Sequence, residues 1–219
     1  MATRFIKKRR TQAERSSAMQ RRILDATLKC LAADGYAGTT VSRITQTAGV
    51  SRGAPMHHFE NKAALMKATA EMMIKRVYLQ MGKAMEELEA SDDRLHDLIY
   101  SAWKHVFYQP EFRALQELLM ASQRDKDLAF VLQQVWTAGH ITLGNAADHY
   151  LEPIHENANV RQAMTLTQWL LRGMALDLHL VESPDVMDHY LKLWSQMLAL
   201  HLRAKPKNTA STSEQFFTK

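Results

Sequence analysis

The stretch TTVSRITQTAGVSRGAPMHHFENKAAL, residues 39–65, constrains this chain more than any other. Thr40 is placed to cap a short helix running to about Ala48, and Gly49-Val50 then makes a turn too tight for most side chains. Ser51 is placed to cap a second helix ending near Phe59. Folded so, Val41, Ile44, Ala48, Val50 and Phe59 turn inward, while Arg52, Gly53, Met56 and His57 share the outward face of the second helix. Two short helices joined by a Gly-containing turn read as a helix-turn-helix, whose second helix lies in the DNA major groove with its N-terminal half at the base edges. The candidate DNA-contacting residues are Thr40, Ser42, Arg43, Ser51, Arg52, Gly53, Met56, His57, His58 and Lys62.

Charge supports that reading. The net charge of the chain is +5, but residues 1–62 carry 12 Lys/Arg against four Asp/Glu, a net of +8, and the remainder is net −3. The positive excess sits where phosphate would be met. Residues 1–17, with Lys7, Lys8, Arg9 and Arg10, read as a flexible basic arm, either a solubilising tail or a segment reaching DNA beside the main site.

The order and spacing of G-T-T-V, A-G-V-S-R-G-A and H-H-F-x-N-K-x-x-L resemble the TetR family of bacterial repressors, over about residues 18–68. The resemblance implies an effector site between the fourth and seventh helices and a two-fold bundle formed by the last two helices. Two positions depart from the family pattern. Pro55 stands where an apolar residue such as Leu is usual, and Met56 where Tyr is usual. Pro55 removes a first-turn hydrogen bond and disfavours helical geometry at Ala54, which predicts a distorted first turn. Met56 lacks a hydroxyl, so one phosphate or base contact is expected to be missing.

Beyond the head, Gly (8) and Pro (5) are scarce and 46% of residues are hydrophobic, which favours helix throughout and supplies a core. The expected fold is all-α with about nine helices: a helix-turn-helix domain at 18–62, a ligand-sensing and dimerisation domain at 63–203, and a disordered tail at 204–219. Helix 1 is expected at about 18–34, capped by Ser16 or Ser17 and ended by Gly35. The later helices are expected at 62–89, 94–107, 110–123, 125–151, 158–182 and 184–202, and no strand pattern is evident. No uncharged apolar run approaches the ~18 residues of a membrane span. The N-terminus lacks the apolar stretch of a secretory signal, and the lone Cys30 suits a reducing cytoplasm, where it reads as a buried small hydrophobe.

The ten histidines form no metal-ligand spacing, and no nucleophile or acid/base constellation is present, so no metal, cofactor or catalytic residue is expected. Large soft residues crowd helices 5 to 7. Trp103, Phe107, Leu119, Met120 and Trp136, with the polar Gln116 and His140, are the candidate lining of an effector cavity, for which a neutral or weakly polar hydrophobic molecule is expected. The last two helices are apolar over a wide arc, and Trp169, Leu170, Met174, Tyr190, Trp194, Met197 and Leu198 are the candidate homodimer interface. The expected partners are palindromic double-stranded operator DNA, a second copy of the chain and a small hydrophobic effector, with no membrane. A regulator of the same fold without an effector is the open alternative.

Overall fold

The computed structural model describes residues 11–87, 93–183 and 185–205. The basic cluster Lys7–Arg10, the expected break at Ser91-Asp92, Pro184 and the tail from residue 206 lie outside the described residues. The described chain is almost entirely helical, as expected. An N-terminal trio, α1 (Gln12–Gly38), α2 (Val41–Ala48) and α3 (Ala54–His58), is followed by α4 (Lys62–Glu87), α5 (Arg94–Ala102), α6 (Pro110–Ser122), α7 (Lys126–Tyr150), α8 (Val160–Asp177) and α9 (Asp185–Ala199).

Helix α1 begins earlier than the sequence reading placed it. Thr11 and Glu14 form a reciprocal capping box, with the Glu14 N–H donating to Thr11 Oγ1 at 3.2 Å and the Thr11 N–H to Glu14 Oε2 at 2.7 Å. This pairing satisfies two end donors where Ser16 or Ser17 alone would satisfy one, so residues 12–17 are helix rather than arm. Gly35 breaks the helix as expected, at φ 67°, and Tyr36–Gly38 add a further turn. The buried face of α1 includes Ile23, Ala26, Cys30 and Leu31.

Helix α4 is capped by Asn61, whose Oδ1 accepts from the Ala64 N–H at 2.8 Å. Residues 103–107 continue α5 as a π-helical turn in place of the expected α-helix. Asp125 caps α7, accepting from the Leu128 N–H at 3.0 Å, and Asn159 caps α8 in the same way. Helix α8 gives way to a 3₁₀ turn at Leu178–Leu180.

Two short strands, β1 (Leu151–Pro153) and β2 (Leu202–Ala204), pair antiparallel, with Glu152 opposite Arg203. They correct the reading of a strandless chain with a tail from 204. Three residues are too few for an alternating pattern to register, and the pairing joins segments ~50 positions apart in sequence. Arg203 and Glu152 form an ion pair at 2.6 Å, and the Lys205 N–H donates to the Tyr150 carbonyl at 2.9 Å, which secures the chain after α9.

The core is continuous from Ile23 and Leu31 in α1, through Leu65 and Met66 in α4, to Leu171 and Leu191 in α8 and α9. Helix α1 lies along α6, so the N-terminal trio rests directly on the bundle.

Candidate nucleic-acid interface and internal cavity

The N-terminal trio is built around its turns. Thr40 caps α2 as expected, accepting from the Arg43 N–H at 3.2 Å. Gly49 follows at φ 61°, a left-handed conformation that L side chains rarely adopt. A Cβ there would also stand 2.9 Å from Arg22 Nη2, which donates to the Gly49 carbonyl. The second helix departs from expectation. Ser51 does not cap it; Gly53 occupies the cap position without a side-chain bond, and α3 spans only Ala54–His58. Pro55 is the cause. It has no N–H to offer the Ser51 carbonyl, which accepts instead from the Ala54 N–H at 3.0 Å. The distorted first turn predicted from Pro55 is present, and the regular helix is only five residues long.

Ser51, Arg52, Gly53, Met56 and His57 are exposed on this element, as are Thr40, Ser42 and Arg43 on α2, while His58 is half-buried. Their electrostatic situations differ. The Arg43 guanidinium pairs with Asp34 of α1 at 2.7 Å, and that pairing raises its pKa. Arg52 makes no ion pair among the described residues and keeps all its donors for an outside acceptor. Lys62 turns toward the bundle, its ammonium 4.6 Å from the centre of the Tyr36 ring.

Tyr36 lies at the joint between the trio and the bundle. Its N–H donates to Glu117 of α6 at 3.1 Å, and its hydroxyl donates to Asp125, the cap of α7, at 3.1 Å. Burial, reinforced by the bond to Asp125, pushes the Tyr36 phenol up. The Leu128 backbone N–H, helped by the Tyr36 hydroxyl, holds the Asp125 carboxyl below its ordinary value. Gly35 permits the close approach, since a Cβ there would meet Glu117 Oε2 at 2.9 Å.

Inside the bundle is a cavity of about 130 Å³, walled by α4, α5 and its π turn, α6, α7 and α8. Phe107, Trp136 and His140 line it, as the sequence suggested. Trp103, Gln116, Leu119 and Met120 do not: Trp103 is buried elsewhere in the core, and Met120 is 55% exposed. The wider π turn lies in this wall and contributes Val106 and Phe107. The sequence reading missed the α8 contribution: Met164, Thr167, Gln168, Leu171 and Arg172. Their i, i+3, i+4, i+7 spacing is visible, but the apolar arc of α8 is read through Trp169, Leu170 and Met174 as an outer interface.

That arc divides in two. Trp169, Leu170, Tyr190 and Met197 are exposed, together with Leu166, Val186 and Leu193, and Met174 is half-buried. Leu198, expected on the outer face, is 4% exposed and belongs to the core. Trp194 is half-buried, and its indole N–H donates to the Thr167 hydroxyl at 3.0 Å, directed at the cavity wall rather than outward. Among the described residues no helix is long and apolar enough to cross a membrane, and no three His, Cys, Asp or Glu side chains gather as metal ligands.

The comparisons with known proteins agree with this architecture. The family model described as bacterial regulatory proteins, tetR family, matches residues 23–69, which span the helix-turn-helix. The HTH-type transcriptional regulator CymR of Pseudomonas putida is 31% identical over 152 residues, covering 64% of this chain and 74% of that protein. The HTH-type transcriptional repressor AcnR of Corynebacterium diphtheriae is 44% identical over 54 residues, 25% of this chain and 28% of its own length. A transcriptional regulator from Rhodococcus sp. Rha1 superimposes with a TM-score of 0.67 at 17% identity, over 83% of this chain and 97% of that one. The chain therefore belongs to the TetR family and is a DNA-binding transcriptional regulator of the helix-turn-helix type.

Proposed function

We propose that the protein is a repressor that covers its operator as a homodimer and is released when a small, largely apolar effector enters the bundle cavity. The observation that carries the reading is the cavity itself, since α7, which supplies Trp136 and His140 to its wall, begins at the Asp125 cap that holds Tyr36. A ligand that prefers one arrangement of α7 thereby acts on the joint that positions the DNA-binding trio. By linkage it weakens DNA binding by the factor by which DNA weakens its own binding.

In this reading residues 18–62 contact DNA and residues 63–203 sense the ligand and dimerise, with α4 continuous from the joint into the cavity wall. Arg52 and the exposed residues of α2 and α3 face the operator. Trp169, Leu170, Tyr190 and Met197 meet their copies across a two-fold axis, which sets two heads on the half-sites of a palindrome. The protein works in the cytoplasm, where its DNA is.

The test begins with duplexes selected from a random library by the full-length protein, followed by a melting-temperature screen of small apolar compounds. At least one compound should raise the melting temperature and weaken binding to the selected duplex. Failure of every compound to bind would favour the same regulator without an effector.

A further inference from the structure

Among the described residues lining the cavity, one side chain is permanently charged, Arg172 of α8. Its guanidinium Cζ lies over the face of the Trp136 ring, 4.2 Å from the ring centre. A ring face attracts the charge but offers no carbonyl or carboxylate oxygen to the five N–H donors of a guanidinium. No hydrogen bond or ion pair engages them among the described residues, and neither Asp nor Glu occurs among the described residues lining the cavity. Burial lowers the Arg172 pKa. A half-buried guanidinium with no counter-charge among the described residues is a ready partner for an anion entering the cavity.

A second polar group of the same wall is also incomplete. The Thr165 hydroxyl donates to the Arg161 carbonyl at 2.8 Å, so its contact with His140 Nε2 at 3.0 Å is one in which His140 donates. That fixes the imidazole and leaves the buried Nδ1 without a partner among the described residues. In the neutral ring Nδ1 is an acceptor; in the protonated ring it is a second donor beside a charge.

We propose that the effector is a small carboxylic acid with a compact apolar body, its carboxylate paired with Arg172 and its body among Ile99, Val106, Phe107 and Leu171. This rests on the effector reading above and narrows it, replacing the neutral molecule expected from the sequence. The volume of about 130 Å³ fits a body of one ring, since an apolar cavity of roughly 150 Å³ holds benzene. A planar monoanion matches the guanidinium fork.

The experiment measures calorimetric binding of benzoate, phenylacetate, 3-phenylpropanoate and hexanoate to the full-length protein, each beside its primary amide. At least one acid should bind ten-fold or more tightly than its amide. Arg172→Gln should reduce that acid's affinity ten-fold or more and change the amide's less than three-fold, and Arg172→Lys should recover part of the loss. Amides that bind as tightly as their acids overturn the carboxylate assignment while leaving the effector cavity standing. If neither series binds at millimolar concentration, the acid effector falls, while the cavity reading stands or falls with the melting-temperature screen of apolar compounds. The acid–amide comparison in the wild-type protein stands alone should Arg172→Gln fail to fold.

Discussion

The Tyr36 hydroxyl donates to the Asp125 carboxylate at 3.1 Å, and the same carboxylate caps α7 through the Leu128 N–H at 3.0 Å. One side chain thus belongs both to the joint under the DNA-binding trio and to the start of the helix that walls the cavity. Removing the phenolic oxygen separates these roles. Tyr36→Phe should cost about 1 kcal/mol in urea unfolding, the usual net worth of such a bond. Asp125→Ala should cost more, because it removes the helix cap as well. Equal losses would mean that the cap contributes nothing beyond the Tyr36 bond, and no loss in Tyr36→Phe that the bond contributes nothing to the fold.

The same pair sets a pH window. Asp125 titrates below its ordinary value of 3.8 because the folded state favours its carboxylate. Its contribution is therefore complete above that value and is lost as pH falls through the depressed one. Tyr36 titrates above its ordinary 10.0 because the folded state favours its phenol, so its contribution is complete below 10.0 and is lost as pH rises through the raised value. Melting temperatures from pH 3 to 11 should show both limbs in the wild type, and Tyr36→Phe should flatten the alkaline limb. An alkaline limb of unchanged depth in that variant would contradict the assignment.

Much of this fold was legible. Thr40, Gly49 and Gly35 act locally, through a cap and two left-handed turns, and local signals survive in sequence. Pro55 announced its own distortion in the same way. What escaped depends on which side of a helix meets a neighbour. Trp194 and Trp169 look alike in sequence, yet one bonds to Thr167 and the other is 57% exposed. The TetR resemblance pointed to a cavity among the apolar residues of helices 5 to 7, but Leu119 and Met120 turn elsewhere, and Arg172 lies in a helix read as part of the dimer interface. Contact between helices distant in sequence leaves no periodic mark that names the partner.

The division of the α8–α9 surface predicts opposite outcomes for two neighbouring substitutions. Met197 is 50% exposed and Leu198 only 4%. Met197→Glu should leave a folded chain that runs as a monomer in light scattering, with cooperative melting preserved. Leu198→Glu should lose several kcal/mol by burying an unpaired charge, and lose cooperative melting with it. A wild-type monomer at micromolar concentration would rule out the homodimer.

Base readout is proposed for Arg52, whose donors are unengaged among the described residues, whereas Arg43 is held by Asp34 and Lys62 faces Tyr36. Arg52→Ala should weaken binding to the selected duplex by about 1–3 kcal/mol relative to random DNA. Lys62→Ala should weaken both duplexes alike, if at all. A loss of preference in Lys62→Ala with none in Arg52→Ala would reverse the roles.

The central claim is that the cavity and the DNA-binding trio are energetically coupled. The most direct measurement takes the compound giving the largest rise in melting temperature and determines two affinities: that of the protein for its selected duplex with and without saturating compound, and that for the compound with and without saturating duplex. The account predicts that each ligand weakens the other by the same factor, of roughly 5 to 150-fold for a coupling of about 1–3 kcal/mol. Tight binding of the compound with duplex affinity unchanged within error would contradict it.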